Sequence, residues 1–189
     1  MAKKTDTKTK TKTDSKAIDE AASAPEGSIA AQDMPVTIHA QYVRDLSFEN
    51  PNAPESLRPA ADAPEMDINI GMDARKIEDK EIKHLFEVVL NVRASAMRGA
   101  DAIFIAEMQY GATVSIGDEV SEDNHHPLLL IEIPRMIFPF VRQIMSDVTV
   151  QGGYPPLLLN PVDFHALYMN RFGAEIEAAQ KEAEAAAVN

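Results

Sequence analysis

Two short stretches hold the side chains best suited to chemistry. GDEVSEDNHH (117–126) sets four carboxylates, Asp118, Glu119, Glu122 and Asp123, beside His125 and His126. Carboxylates and imidazoles bind metal ions when their spacing turns them toward one point. Neighbouring residues of an extended segment point to opposite sides, so the histidine pair is a poor chelate. The acidic run also lacks the ligand spacing and central glycine of a calcium loop. It reads as a solvated acidic loop with ordinary histidines. His165 stands beside an apolar helical stripe, a structural or surface position. The chain has no cysteine, which removes disulfides, zinc–thiolate sites and thiol nucleophiles. It has no phosphate-cradling glycine loop, no histidine pair one helical turn apart and no serine elbow. The expectation is a non-enzyme, with no catalytic residue, metal or cofactor.

The second stretch offers recognition instead. In YVRDLSFENPNAP (42–54), Asp45, Ser47 and Glu49 alternate with Leu46 and Phe48, and Asn50-Pro51-Asn52-Ala53-Pro54 then stops regular structure. Period-two alternation separates the carboxylates from the apolar residues onto two faces of a strand. One face can meet solvent or a partner while the other packs inward.

Three more stretches share this period. Val36, Ile38, Ala40, Tyr42 and Leu46 form one phase of 36–48, interrupted by Arg44; Thr37, His39, Gln41, Asp45 and Ser47 form the other. Met66, Ile68, Ile70 and Met72 alternate with acids and Asn69 over 65–73. Within 81–97, Phe86, Val88, Leu90, Val92 and Ala94 alternate with more polar neighbours. After the turn MRGAD, Phe104, Ala106, Met108 and Tyr110 oppose Ile103, Ile105, Glu107 and Gln109 within 102–116. Four strands with short returns predict an antiparallel sheet with one buried and one wetter face. The proline-rich 50–64 segment leaves room for a crossover.

The period then changes. Pro134 and Pro139 suit helix starts. From 137, Ile137, Val141, Ile144, Met145 and Val148 make a helical stripe, with Phe138 and Phe140 adding apolar bulk elsewhere. Such a helix belongs at a subunit interface or between layers. Asn160 can cap a second helix with Pro161 at its first position. Phe164, Leu167, Tyr168 and Phe172 give its inner stripe, and Gly173 interrupts it. The fold class is α+β, a four-stranded antiparallel sheet with two main C-terminal helices packed on one face. The leucines and aromatics of HPLLLIEIPRMIFPF and YPPLLLNPVDF either seal a core or line a groove.

Composition sets the boundaries. The 189 residues are 45 % hydrophobic and carry a net charge of −12. Residues 1–33 are Lys/Thr- then Ala/Ser-rich and read as a disordered tail; 34–172 form the domain; 173–189 are an Ala/Glu-rich tail, helical or frayed. Residues 1–16 hold six lysines and two aspartates, so the body is more acidic still. An acidic body repels nucleic acid and favours partners with basic surfaces. No stretch is apolar enough to insert in a membrane, and the N-terminus lacks the core of a secretory signal. The expected location is the cytoplasm.

The run DLSFENPNAP (45–54), the strand and turn FIAEMQYGATVSI (104–116) and the block IFPFVRQIMSDVTVQGGYPPLLLNPVDFHALYMNR (137–171), in that order, resemble the SecB family of bacterial protein-export chaperones. The resemblance covers roughly 36–171. It implies a homotetramer built as a dimer of dimers, which holds unfolded precursor proteins and passes them to SecA, the translocon's ATPase. A SecA-binding set of Asp45, Glu49, Ile105 and Glu107 follows by matched position, and strand parity puts these on the outer face. The resemblance also implies a client groove, nominating Phe48, Phe138, Phe140, Tyr154, Leu157 and Leu159. Oligomer contacts would involve Ala106, Met108, Tyr110, Val141, Ile144 and Met145. The alternative is a SecB-like chaperone of a toxin–antitoxin system, against which the full acidic set argues. The basic head, the acidic 118–123 loop and the Ala-rich tail match no role.

Overall fold

The period-two stretches fold into four long strands: β1 (Val36–Glu49), β2 (Glu65–Ile77), β3 (Leu85–Arg98) and β4 (Asp101–Ile116). The computed structural model describes residues 35–59 and 62–187, with side-chain surroundings as far as 178. The tail expected over 1–33 lies outside the described residues. The sheet is antiparallel throughout, in the order β1-β4-β3-β2. The 50–64 connection is therefore a crossover from one edge of the sheet to the other, with a short 3₁₀ turn at Glu55–Leu57. Gly99 turns β3 into β4 at φ +60°, a backbone conformation that costs glycine little.

The helical run begins earlier than the prolines predict. A 3₁₀ turn (Glu122–Asn124), α1 (His125–Pro127) and a π turn (Leu128–Glu132) lead into α2 (Ile133–Gln151). The acidic segment is thus partly helical rather than a loop, and His125 is a packing residue. His125 is 8 % exposed, its Nε2 lies 3.1 Å from the Val120 carbonyl, and its ring stands edge-on to Phe86. Pro139 sits inside α2 rather than at its start. The carbonyl it leaves unpaired belongs to exposed Arg135, where water can take it. α3 runs from Phe164 to Ala187, so Asn160 and Pro161 lie outside it and Gly173 does not break it. The cap is Asp163, whose Oδ1 accepts the Ala166 N–H at 2.9 Å.

One sheet face is covered. Val88, Leu90, Val92 and Ala94 of β3 and Ala106, Met108, Ala112 and Val114 of β4 pack with Ile133, Ile137, Val141, Met145 and Phe164, all at most 2 % exposed. Each large side chain so buried contributes about 1.5–3 kcal/mol. Thr149, also fully buried, holds the chain after α2: its hydroxyl donates to the Ser146 carbonyl at 2.8 Å, and its Oγ1 accepts the Leu157 N–H at 3.0 Å.

Strand β1 departs from simple alternation. Its pairing with β4 shifts between Ile38 and Ala40 and again between Val43 and Asp45. Each β-bulge inserts one residue and reverses the phase. Residues 40–43 are therefore inverted. Tyr42, expected inward, faces outward across Gly111, and Val43 takes the inner side opposite Tyr110. After the second bulge the phase is restored, with Leu46 opposite Met108 and Phe48 opposite Ala106. Leu46 points to the helix side as expected but is 41 % exposed.

Candidate functional site

The second sheet face, uncovered among the described residues, presents ordered rows. Glu49 lies opposite Ile105, which lies opposite Ser95 and then Asp67; the next row is Ser47, Glu107, Arg93 and Asn69; the next is Asp45, Gln109, Asn91 and Gly71. Asp45, Glu49, Ile105 and Glu107 thus share one face, within two rows of each other. Ile105 is half-buried between carboxylates. Asp45 and Glu49 form no ion pair among the described residues, while Glu107 is paired with Arg93 on the neighbouring strand. Arg93 and Asp67 were missed by strand parity. Parity assigns faces, but only the register shows that Arg93 sits against Glu107.

Further along the same face lies a buried charge. Glu87 is 4 % exposed. Its Oε1 accepts the Tyr42 hydroxyl, its Oε2 accepts the Arg75 Nε–H, and the Arg44 guanidinium stands 3.6 Å away. The Tyr42 hydrogen bond, with help from Arg75 and Arg44, lowers the Glu87 pKa against the opposing effect of burial. Burial first and Glu87 second raise the Tyr42 pKa. The neutral phenol and the ionised carboxylate are thus each favoured. Arg44, out of phase in the sequence, is the signal that could have revealed the bulges.

The six groove nominees do not form one cavity. Phe48 and Tyr154 meet beneath the crossover, where Phe48 stacks on Phe104 at 5.6 Å and Phe104 lies 5.1 Å from Tyr154. The Tyr154 hydroxyl is within hydrogen-bond distance of Asn50 Oδ1 (2.8 Å), Ser56 Oγ (2.9 Å) and the Ile103 carbonyl (3.1 Å). It therefore ties the crossover to the sheet. Leu157 is half-buried nearby in sequence, on the Thr149 hydroxyl. Leu159 (1 % exposed) and Phe138 (8 %) belong to the core, and Phe138 packs edge-on against Phe164. Phe140 is exposed on α2, stacked over Tyr110 at 6.4 Å. An apolar groove opens between β2 and the start of α3, lined by Ile68, Ile70, Val162, Ala166 and Leu167 together with the nominated Leu159. Phe104 and Ile68 were missed because parity placed both among inward residues.

The oligomer nominees lie mostly inside the chain. Ala106, Met108, Tyr110, Val141 and Met145 are buried within the chain itself, and only Ile144 is half-buried. Their inner phase faces the chain's own helices, which cover it. The apolar surface left open near them is Val43, Leu46 and Phe140.

Among the described residues no group of three or more histidines and carboxylates gathers as a metal site, and no helix is long and apolar enough to cross a membrane. An antiparallel sheet with helices on one face, an open charged face on the other and apolar grooves at its edges defines a binding scaffold of the SecB-like chaperone fold. The same fold is found in the SecB-like chaperone of Mycobacterium tuberculosis, solved with an antitoxin peptide, at TM-score 0.55 over 68 % of this chain and 91 % of that one; the sequences are 15 % identical. The family described as "Preprotein translocase subunit SecB" matches residues 30–175, and the chain belongs to the SecB family. It is 44 % identical to the protein-export protein SecB of Maricaulis maris over 85 % of this chain and 90 % of the relative. To that of Caulobacter vibrioides it is 45 % identical over 78 % and 86 %.

Proposed function

We propose that the chain is a cytoplasmic export chaperone that binds unfolded precursor proteins, keeps them translocation-competent and delivers them to SecA. It works as a homotetramer, a dimer of dimers, without nucleotide or metal of its own. The observation that carries this reading is the gathering of Asp45, Glu49, Ile105 and Glu107 on the uncovered sheet face. An apolar centre ringed by carboxylates suits a basic partner segment with an apolar anchor. Clients take the opposite side. An unfolded chain offers apolar segments to the Ile68–Leu167 groove and the Phe48–Phe104–Tyr154 cluster, and several weak sites on one assembly raise the effective concentration. Subunit contact falls to Val43, Leu46 and Phe140, which the single chain leaves open, and to half-buried Ile144 beside them. Release needs no hydrolysis by this chain, because the ATPase competes for the complex.

Asp45→Ala and Glu107→Lys test the docking face. Each should weaken SecA binding roughly tenfold, about 1.4 kcal/mol, while aggregation of a reduced, slow-folding precursor stays suppressed without ATP. Unchanged SecA affinity in both variants rejects the docking face. Failure of the tetramer at equimolar ratio to suppress light scattering rejects the chaperone reading.

A further inference from the structure

The two bulges of β1 have a joint effect that neither has alone. Before them the paired residue numbers of β1 and β4 run Val36 with Ile116 and Ile38 with Val114; after them they run Asp45 with Gln109 and Glu49 with Ile105. The phase is unchanged, but the second half of β1 is displaced by two residues along β4. Without the bulges, Asp45 would face Glu107 directly, and Ser47 rather than Glu49 would face Ile105. Like charges directly opposite in a sheet repel. The displacement therefore separates two carboxylates and brings the apolar centre beside Glu49.

From Ala40 to Leu46 the edge strand β1 is exposed on both faces except at half-buried Tyr42, so one-sided burial specifies its register weakly there and another contact must hold it. The inverted segment supplies it. Tyr42 lies flat over Gly111, where any side chain would collide: a Cβ there would stand 2.6 Å from the Tyr42 ring. The ring so crosses β4 and delivers its hydroxyl to Glu87 on β3, which Arg75 of β2 and Arg44 of β1 also engage. All four strands contribute to this one contact.

We infer that Tyr42 is a positioning residue, a pin that crosses Gly111 to Glu87 and holds the two-bulge register on which the spacing of Asp45, Glu49, Ile105 and Glu107 depends. The register claim stands on the geometry; its service to docking rests on the function proposed above.

Because the chain has no cysteine, engineered pairs report register without background. Ser47→Cys with Glu107→Cys sit opposite each other in the present register. Ser47→Cys with Ile105→Cys would do so only if both bulges were lost, since diagonal partners lie roughly 7–8 Å apart, beyond disulfide reach. In the parent the first pair should close under mild oxidation and the second should not. Adding Tyr42→Ala, or the milder Tyr42→Phe with Glu87→Gln, should raise the second pair's yield several-fold at the first's expense. Parent yields in both backgrounds overturn the pin. In cysteine-free protein, Tyr42→Phe with Glu87→Gln should lower SecA affinity about as much as Asp45→Ala. A register that moves while SecA binding does not overturns the pin's service to docking. An Asp45→Ala variant that binds like the parent faults the docking reading instead, and the cross-link yields still decide the pin.

Discussion

Phe48 and Glu49 are adjacent in the chain and belong to two surfaces built by different means. The acidic face around Glu49 is assembled from strand register, and its charges are exposed and singly replaceable. The cluster around Phe48 is assembled from four distant segments, the end of β1, the crossover, the start of β4 and the turn after α2, and its aromatics are buried or half-buried. Exposed ion pairs each contribute about 0–1 kcal/mol, whereas a buried aromatic contributes several times that. On the proposed assignment, docking strength can vary without disturbing the fold, while the Phe48 cluster cannot be altered without cost to stability.

The sharpest way to break that contrast is Phe104→Ala. Phe104 is 5 % exposed and touches both Phe48 and Tyr154. Truncation should cost about 3–5 kcal/mol in urea unfolding and impair client holding, while SecA titration of the folded fraction stays at the parent value. A loss of docking equal to the loss of holding would show that the surfaces are one unit. Thr149→Val comes next. It keeps the volume but strands the Leu157 N–H that the hydroxyl now satisfies, an expected loss of about 1–3 kcal/mol. Thermal unfolding checks the cost. Faster hydrogen exchange confined to 152–159 would place it in the turn after α2.

Alternation was enough to find all four strands and to put Asp45, Glu49, Ile105 and Glu107 on one face, because strand parity is local. It failed at Tyr42, because a bulge depends on what the neighbouring strand offers, here glycine at 111 and a carboxylate at 87. It failed at Pro139 and Asp163, where helix signals two or more residues apart compete and tertiary burial decides between them. The nominated groove scattered for the same reason. Phe138 and Phe140 are two residues apart on a helix and so point in different directions, one into the core and one out.

A gentler test concerns pH. The Glu87 pKa is lowered by its partners, so its contribution is present above the ordinary carboxylate range and is lost as pH falls through the lowered value. The Tyr42 pKa is raised, so the phenol's contribution is present below the ordinary tyrosine range and is lost as pH rises through its raised value. Melting temperature should therefore fall at both ends, and Glu87→Gln should flatten the acid limb. The same acid limb in Glu87→Gln as in the parent would show that other carboxylates set it.

Arg93→Gln carries the smallest expected effect and sharpens the comparison most. Arg93 is half-exposed and occupies Glu107 on the proposed docking face, so a basic partner that docks there must displace it before using that carboxylate. Removing the guanidinium should cost the fold little, since the pair is exposed. It should also tighten SecA binding by roughly two- to fivefold at low salt, a gain that fades as ionic strength rises and screening shortens the reach of the freed charge. Weaker binding in Arg93→Gln would mean that the arginine itself touches the partner. Changed client holding would mean that the acidic face is not separate from the grooves behind it.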